Sequence, residues 1–192
     1  MTYLDGKAIA DEMKKELGRR LREMQNPLRL GIVMVGKNKA SETFVGLKEK
    51  FARDIGCGIR RYEFEESIST NDLRARLKDI VHETRNKGII VQLPLPLHID
   101  TQSILNTIIP EKDVDVLSAR AVGNFQVGKS KVLPPVAAAV EALFKKYGIE
   151  VRGRQAVVVG YGRLVGQPIA TWLLKSGATL AVMGDEKSFD PE

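Results

Sequence analysis

Apolar residues recur at regular intervals along the N-terminal half of the chain. In its first segment five of them lie three or four positions apart: Ile9, Met13, Leu17, Leu21 and Met24. This spacing predicts an amphipathic helix, which ends at the Asn26-Pro27 pair. The stretch LRLGIVMVG then predicts a buried strand, and KASETFVGLKEKFARDIG predicts a helix that ends near Gly56.

The next segments continue this alternation of strands and helices. IRRYEF has the alternating pattern of a strand, the segment after Asp72 has the apolar spacing of a helix, and GIIVQLPLP opens with a buried strand at Gly88. The order is therefore α, β, α, β, α, β. Because the strand cores are apolar and uncharged, this order predicts a parallel sheet that helices cover on both faces.

The remaining chain predicts a second domain of the same class. A short apolar helix near residues 103–108 precedes a glycine-rich passage, GNFQVGKSK, which we predict to be a loop or short hairpin at the domain junction. Pro134 and Pro135 introduce a helix, and the segments after it predict a strand, a helix and a strand. We therefore predict an α/β fold of two α/β domains with parallel sheets, at residues 1–120 and 121–192. The second domain is Rossmann-like. Because only two of its strands are predicted, we expect either that this domain is incomplete or that the sequence is part of a longer protein.

Composition narrows the class of protein. The chain has 43% hydrophobic and 28% charged residues, which is typical of a soluble globular protein. It has no apolar run suited to a signal peptide or a membrane helix, so we expect a cytoplasmic location and no membrane partner. Cys57, His82 and His98 lie far apart in the sequence and predict no metal site.

The net charge of +6 favours anionic partners, among them nucleic acid, a phosphorylated cofactor or a polyanionic substrate. The basic residues are scattered among acidic ones, and no aromatic residues interleave with a basic platform. Exposed helix faces explain this pattern better than a nucleic-acid surface does. A basic α/β protein that binds nucleic acid stays an alternative that rests on charge alone.

A glycine-rich turn follows the first strand of the predicted second domain. VVVGYGRLVGQP places Gly160, Gly162 and Gly166 between an apolar strand and a helix, as a dinucleotide site requires for a tight turn and a close approach to the pyrophosphate. Asp185 ends the following strand, where a Rossmann acid meets the ribose hydroxyls. The alternative is a purely structural turn with an exposed aspartate.

Candidate catalytic groups lie in the first domain. Gln92 is at the carboxyl end of a predicted parallel strand, where α/β sheets bind ligands. Ser41, Phe44 and Lys48 share one face of the predicted helix that ends near Gly56. A lysine that is kept dry beside an amide can donate or accept a proton, although an exposed helix lysine is the simpler interpretation.

Two acidic residues complete this set of candidates. PEKDVD places Asp113 and Asp115 at alternate positions, which can project to one side of the chain. By themselves they can equally be loop acids without a catalytic role.

Four motifs together carry a resemblance to a known family. SETFVGLKEK, GIIVQLPLP, PEKDVD and VVVGYGRLVGQP, in this order, resemble the methylenetetrahydrofolate dehydrogenase/methenyltetrahydrofolate cyclohydrolase family, and LDGK near the start matches it as well. The resemblance implies a folate cleft between two α/β domains. It also implies oxidation of methylene-tetrahydrofolate to the methenyl form by a nicotinamide nucleotide, NADP or NAD, followed by hydrolysis to formyl-tetrahydrofolate. The family's C-terminal third has no counterpart, and a homodimer is expected by resemblance alone.

The resemblance also assigns roles to residues. Lys48 matches the family's catalytic lysine, Gln92 the amide that holds it, and Asp115 the carboxylate that binds the pterin ring. Four further residues are expected to bind folate: Ser41, Phe44, Leu93 and Pro94. Five are expected to bind the nucleotide: Gly160, Gly162, Arg163, Gly166 and Asp185.

Several positions depart from the family pattern. Phe44 replaces a tyrosine, Val116 replaces a glycine, and LPPVAAAV lacks the cysteine and threonine of the family's PCTP motif. Tyr161 and Gly162 replace an arginine and a serine in the nucleotide turn, and the carboxylate of Asp185 favours NAD over NADP. These departures leave open a divergent homologue that binds folate or a nucleotide without turning it over.

Overall fold

The computed structural model describes residues 3–184. The chain divides into two compact units. Asp11–Val132 form one, called the first unit here, and Leu133–Glu192 with Met1–Ala10 form the other, the second unit. The boundary predicted after residue 120 falls inside a helix of the first unit.

The first unit contains the predicted alternation of helices and strands. Its elements are α1 (Gly6–Glu23), which begins in the second unit, β1 (Arg29–Val35), α2 (Lys39–Ile55), β2 (Gly58–Phe64), α3 (Thr70–His82), β3 (Asn86–Val91), α4 (Thr101–Leu105) and α5 (Ala119–Gln126). The strands pair in the order β2-β1-β3, and both pairings are parallel. The predicted α/β class is therefore confirmed for this unit.

The apolar strands are buried on both faces of the sheet, as their uninterrupted hydrophobic runs require. Val33 and Val35 of β1 lie in the core cluster that contains the apolar residues of α3 and α4. Ile32 and Met34 point to the opposite face, where they pack with Val45 of α2. This arrangement fixes α2 against the sheet and brings its C-terminal half beside the carboxyl end of β3.

The glycine-rich passage predicted as a loop or hairpin, residues 123–131, is helical at residues 123–126, so the prediction was wrong for that part and correct for residues 127–131. Residues 119–126 form α5 in spite of Gly123. The Ser118 hydroxyl caps its first turn by accepting a hydrogen bond from the Ala121 amide at 3.2 Å. Ala121 and Phe125, one turn apart, are both buried, and this burial offsets the weak helix propensity of glycine.

The second unit contains α6 (Pro135–Lys146), β4 (Gln155–Val159), α7 (Gly166–Lys175) and β5 (Thr179–Met183). β4 and β5 pair in parallel, which confirms the parallel α/β class here as well. Phe144 of α6 packs edge-on against Trp172 of α7, with ring centroids 5.8 Å apart. Across residues 3–184, every helix is too short or too polar to cross a bilayer.

Candidate active site

The predicted lysine and amide are in direct contact. Lys48 Nζ on α2 donates to Gln92 Oε1 at 3.2 Å, although the two residues are 44 positions apart. The Gln92 main-chain N–H donates to Val33 O at 2.9 Å, so the pairing of β1 with β3 continues as far as this residue. Gln92 Nε2 donates to Leu93 O at 2.9 Å, which leaves Oε1 directed at the lysine. The hydrogen bond to β1 and the hydrogen bond to the Leu93 carbonyl thus hold the Gln92 amide in place.

An arginine on the sheet holds the helix that carries Lys48. Arg61 on β2 donates two parallel hydrogen bonds to the Glu49 carboxylate, at 2.6 and 2.8 Å, and a third to the Glu42 carboxylate at 3.0 Å. The hydrogen bonds to Arg61 lower the pKa of the Glu49 carboxyl. Because Glu49 is adjacent to Lys48, this bidentate contact fixes the rotation of α2 at Lys48.

Sequence reasoning missed this contact. Its only local signal is that Glu42 and Glu49 are seven positions apart, a spacing that places both on one face of a helix.

Asp115 lies on a segment that pairs with β3. The Ile89 N–H donates to Lys112 O at 2.7 Å, and Ile89 and Asp113 form an isolated parallel bridge. We call residues 112–118 the aspartate loop. Burial raises the pKa of Asp115; the positive charge of Lys48 opposes this shift and the negative charge of Asp113 adds to it. Lys48 thus contacts Gln92 and acts electrostatically on Asp115, and these three residues form the candidate site of the first unit.

A glycine allows the aspartate loop to approach the strand. A Cβ atom on Gly88 would lie 2.5 Å from Val114 Cγ1 and 3.0 Å from Leu30 Cδ1, closer than carbon atoms pack. The glycine that opens the GIIVQ strand is thus needed because the side chain of Val114 packs directly against it. Asp115 owes its position to this close approach.

Val116 has a φ of 56°, in the left-handed region that glycine favours and β-branched residues avoid. Its side chain is only 3% exposed. The valine that replaces the family's glycine therefore adopts the backbone conformation that a glycine would adopt easily, at a cost of about 1–3 kcal/mol. Burial of its side chain offsets part of that cost.

The four residues expected to bind folate differ in their surroundings. Phe44 is 60% exposed, one helical turn before Lys48. Ser41 is buried at the start of α2, where its N–H donates to Asn38 Oδ1 at 3.1 Å. Leu93 packs against the core of the first unit, and Pro94 is exposed. Of the four, Phe44 and Pro94 present the most surface to a ligand.

The glycine-rich turn of the second unit has the tight geometry that its sequence predicts. Gly160 has a φ of 86°, and a Cβ atom on Gly166 would lie 2.1 Å from Gly160 O. A side chain on Gly162 would meet open space. Gly160 and Gly166 are therefore required by the turn itself, whereas Gly162 is not. Arg163 is exposed beside them, and Asp185 lies outside the described residues.

Within residues 3–184, no three histidine, cysteine, aspartate or glutamate side chains come close enough together to hold a metal ion.

Two family models match the chain. The model of the tetrahydrofolate dehydrogenase/cyclohydrolase catalytic domain matches residues 4–115. The model of the tetrahydrofolate dehydrogenase/cyclohydrolase NAD(P)-binding domain matches residues 134–189. The catalytic-domain match contains Lys48, Gln92 and Asp115. The match to the NAD(P)-binding domain contains the turn from Gly160 to Gly166.

Relatives with similar sequences support the same family. The bifunctional protein FolD of Campylobacter curvus is 37% identical over 185 residues, which are 95% of this chain and 64% of that protein. The corresponding protein of Enterococcus faecalis is 37% identical over 94% of this chain and 66% of its own length. The chain therefore spans slightly less than two thirds of these relatives.

Two crystal structures superimpose closely on this chain. That of the bifunctional enzyme FolD from Campylobacter jejuni has a TM-score of 0.92 and 38% identity, and it covers 97% of this chain and 67% of that one. The Trypanosoma brucei enzyme, complexed with NADP cofactor and inhibitor, has a TM-score of 0.88 and 33% identity over 95% of this chain and 64% of its own.

Proposed function

The chain belongs to the tetrahydrofolate dehydrogenase/cyclohydrolase family, and from this premise we propose that it interconverts one-carbon derivatives of tetrahydrofolate. The proposed reactions are oxidation of methylene-tetrahydrofolate to methenyl-tetrahydrofolate and hydrolysis of the product to formyl-tetrahydrofolate. The observation that carries the proposal is the hydrogen bond between Lys48 and Gln92 beside the half-buried Asp115.

Each of these side chains has a role in the proposed hydrolysis. Water attacks the methenyl carbon, and the Lys48 nitrogen accepts the proton that the water loses. Return of this proton to one of the two nitrogens bound to that carbon lets their bond break, which leaves a formyl group on the other nitrogen. Gln92 Oε1 holds this nitrogen in place, because its amide is itself fixed by Leu93 O. Asp115 accepts hydrogen bonds from N–H groups of the pterin ring, as a carboxylate at a site edge can.

The residues of the second unit fit a nicotinamide nucleotide. The turn from Gly160 to Gly166 leads into α7, so the backbone amides at the start of this helix can donate to a pyrophosphate. Bound NADP or NAD would accept the hydride in the oxidation step. We assign folate binding to the first unit and nucleotide binding to the second, and we expect a homodimer, which light scattering of the purified chain would test.

Hydrolysis of methenyl-tetrahydrofolate, followed as loss of its absorbance above the buffer rate, tests the proposal without any nucleotide. Lys48→Met should lower turnover by about 10²-fold or more, the usual contribution of a positioned acid or base. Lys50→Met is the matched control, because Lys50 is an exposed lysine on the same helix and should retain the wild-type rate. Equal turnover by Lys48→Met and wild type would contradict the proposed role of Lys48. Folate binding without turnover by the wild-type chain would identify a non-catalytic homologue.

A further inference from the structure

Asp113 is a buried carboxylate that the proposed chemistry does not use. Its side chain lies within the first unit, and the residue is only 2% exposed. Its Oδ2 atom accepts hydrogen bonds from the main-chain amides of Leu117 at 3.1 Å and Ser118 at 2.8 Å, and Oδ1 lies 3.3 Å from the Leu117 nitrogen. Burial of a carboxylate is costly unless hydrogen-bond donors surround it, and the main-chain N–H groups of Leu117 and Ser118 are these donors.

These contacts tie the aspartate loop at two points. The main chain beside Asp113 is held to β3 through Ile89, and the Asp113 side chain reaches forward to Leu117 and Ser118. The loop that is closed in this way contains Asp115. The left-handed conformation of Val116 turns the chain back so that the amides face the carboxylate.

We propose that Asp113 is a positioning residue for Asp115: its carboxylate clamps the aspartate loop and thereby sets where Asp115 meets the substrate. The nature of that substrate rests on the proposed function, but the clamp itself does not. Asp113 has no contact with the reacting atoms in this account; it acts on Asp115 through the loop and through its negative charge.

The clamp has an electrostatic consequence. Burial raises the pKa of Asp115, and the negative charge of Asp113 raises it further, while the positive charge of Lys48 on α2 lowers it. Asp113→Asn removes the negative charge. The pKa of Asp115 should then fall, and any activity that needs its ionised form should persist to lower pH. Loss of a purely structural hydrogen bond would not move this pH limit.

The test compares Asp113→Asn with Asp79→Asn, an exposed aspartate on α3, as the matched control. Asparagine keeps the shape of aspartate but carries no charge, and only one of its two terminal atoms can accept a hydrogen bond. With its oxygen at the Oδ2 position, its NH₂ group would face the Leu117 N–H, so two donors would meet there. In hydrolysis of methenyl-tetrahydrofolate we expect Asp113→Asn to raise KM about tenfold, as loss of ~1.4 kcal/mol of binding would, with a smaller change in kcat. The acid limit of the rate should move to lower pH.

A double-mutant cycle separates positioning from general structure. If Asp113 acts through Asp115, then Asp113→Asn should change KM little in an Asp115→Ala background. An unchanged KM and pH profile in Asp113→Asn, or the same KM increase in both backgrounds, would overturn the inference. Failure of the wild-type chain to hydrolyse the substrate would instead count against the proposed function, and Kd values for folate would then replace KM in the same cycle.

Hydrogen exchange of the wild-type chain tests the clamp without any variant. The amides of Leu117 and Ser118 should be protected, because both donate to a buried carboxylate. Rapid exchange at both amides would overturn the inference even if Asp113→Asn failed to fold.

Discussion

The close approach of the aspartate loop to β3 gives the sharpest prediction about stability. Gly88→Ala would place a methyl group 2.5 Å from Val114 Cγ1 and 3.0 Å from Leu30 Cδ1. Valine cannot rotate away easily, because its branched Cβ restricts χ1. The backbone of Val114 cannot move away easily either, because the Lys112 carbonyl, two residues earlier, accepts a hydrogen bond from the Ile89 N–H. The added methyl group must therefore push the loop off the strand.

The size of the effect follows from two opposing terms. Overpacking of this kind costs about 1–3 kcal/mol. Replacing glycine by alanine also restricts the unfolded chain, which contributes about 0.4–1 kcal/mol in favour of folding. Gly88→Ala should therefore lower the free energy of unfolding by about 1–2 kcal/mol. Because Val114 precedes Asp115, the displaced loop should also slow hydrolysis of methenyl-tetrahydrofolate.

Urea unfolding followed by circular dichroism measures this change, with Gly123→Ala in α5 as the matched control. A methyl group on Gly123 meets nothing within 4 Å, so helix propensity alone should raise stability by about 0.8–1 kcal/mol. In a Val114→Ala background the cost of Gly88→Ala should largely disappear, because the clashing Cγ1 atom is gone. A Gly88→Ala protein as stable as wild type, or an equal cost in both backgrounds, would refute the reasoning.

Two further substitutions test the nucleotide turn and the helix of the site. Gly166→Ala should disrupt the turn and weaken NAD(P) binding at least tenfold, because its methyl group would lie 2.1 Å from Gly160 O. The methyl group of Gly162→Ala meets open space, so this control should bind NAD(P) like wild type. Equal dissociation constants of the two variants in calorimetry would contradict this view of the turn. Phe44→Tyr should leave the free energy of unfolding within about 0.5 kcal/mol of wild type, since the ring is 60% exposed. It should speed hydrolysis by placing a phenolic donor one turn before Lys48, the proposed catalytic lysine. A slower rate at unchanged stability would show that the hydroxyl is harmful in this chain.

The predicted family and much of the predicted fold are confirmed. The family models match the segments in which SETFVGLKEK, GIIVQLPLP, PEKDVD and VVVGYGRLVGQP lie. The strands and helices predicted from apolar spacing are present in the same order. Such patterns are readable in a sequence because the spacing of side chains along a helix or strand is a local property of the backbone. The roles of individual site residues stay predictions until the experiments above are done.

The helix α5 shows why one local prediction was wrong. Its sequence contains Gly123 and lies in a passage rich in glycine, which favours a loop. The helix forms because Ser118 caps it and because Phe125 is buried. A cap is visible in the sequence, but burial depends on packing partners that are distant along the chain.

By itself, the sequence determined the alternation of helices and strands, the parallel class of the sheets and the family, since all three depend on local spacing and on motif order. Tertiary structure decided which side chains meet. It joined Lys48 to Gln92 across 44 residues, and it gave Asp113 and Asp115 different surroundings although both belong to one short motif. These outcomes depend on distances of a few ångströms between packed elements, and residue spacing along the chain does not encode such distances.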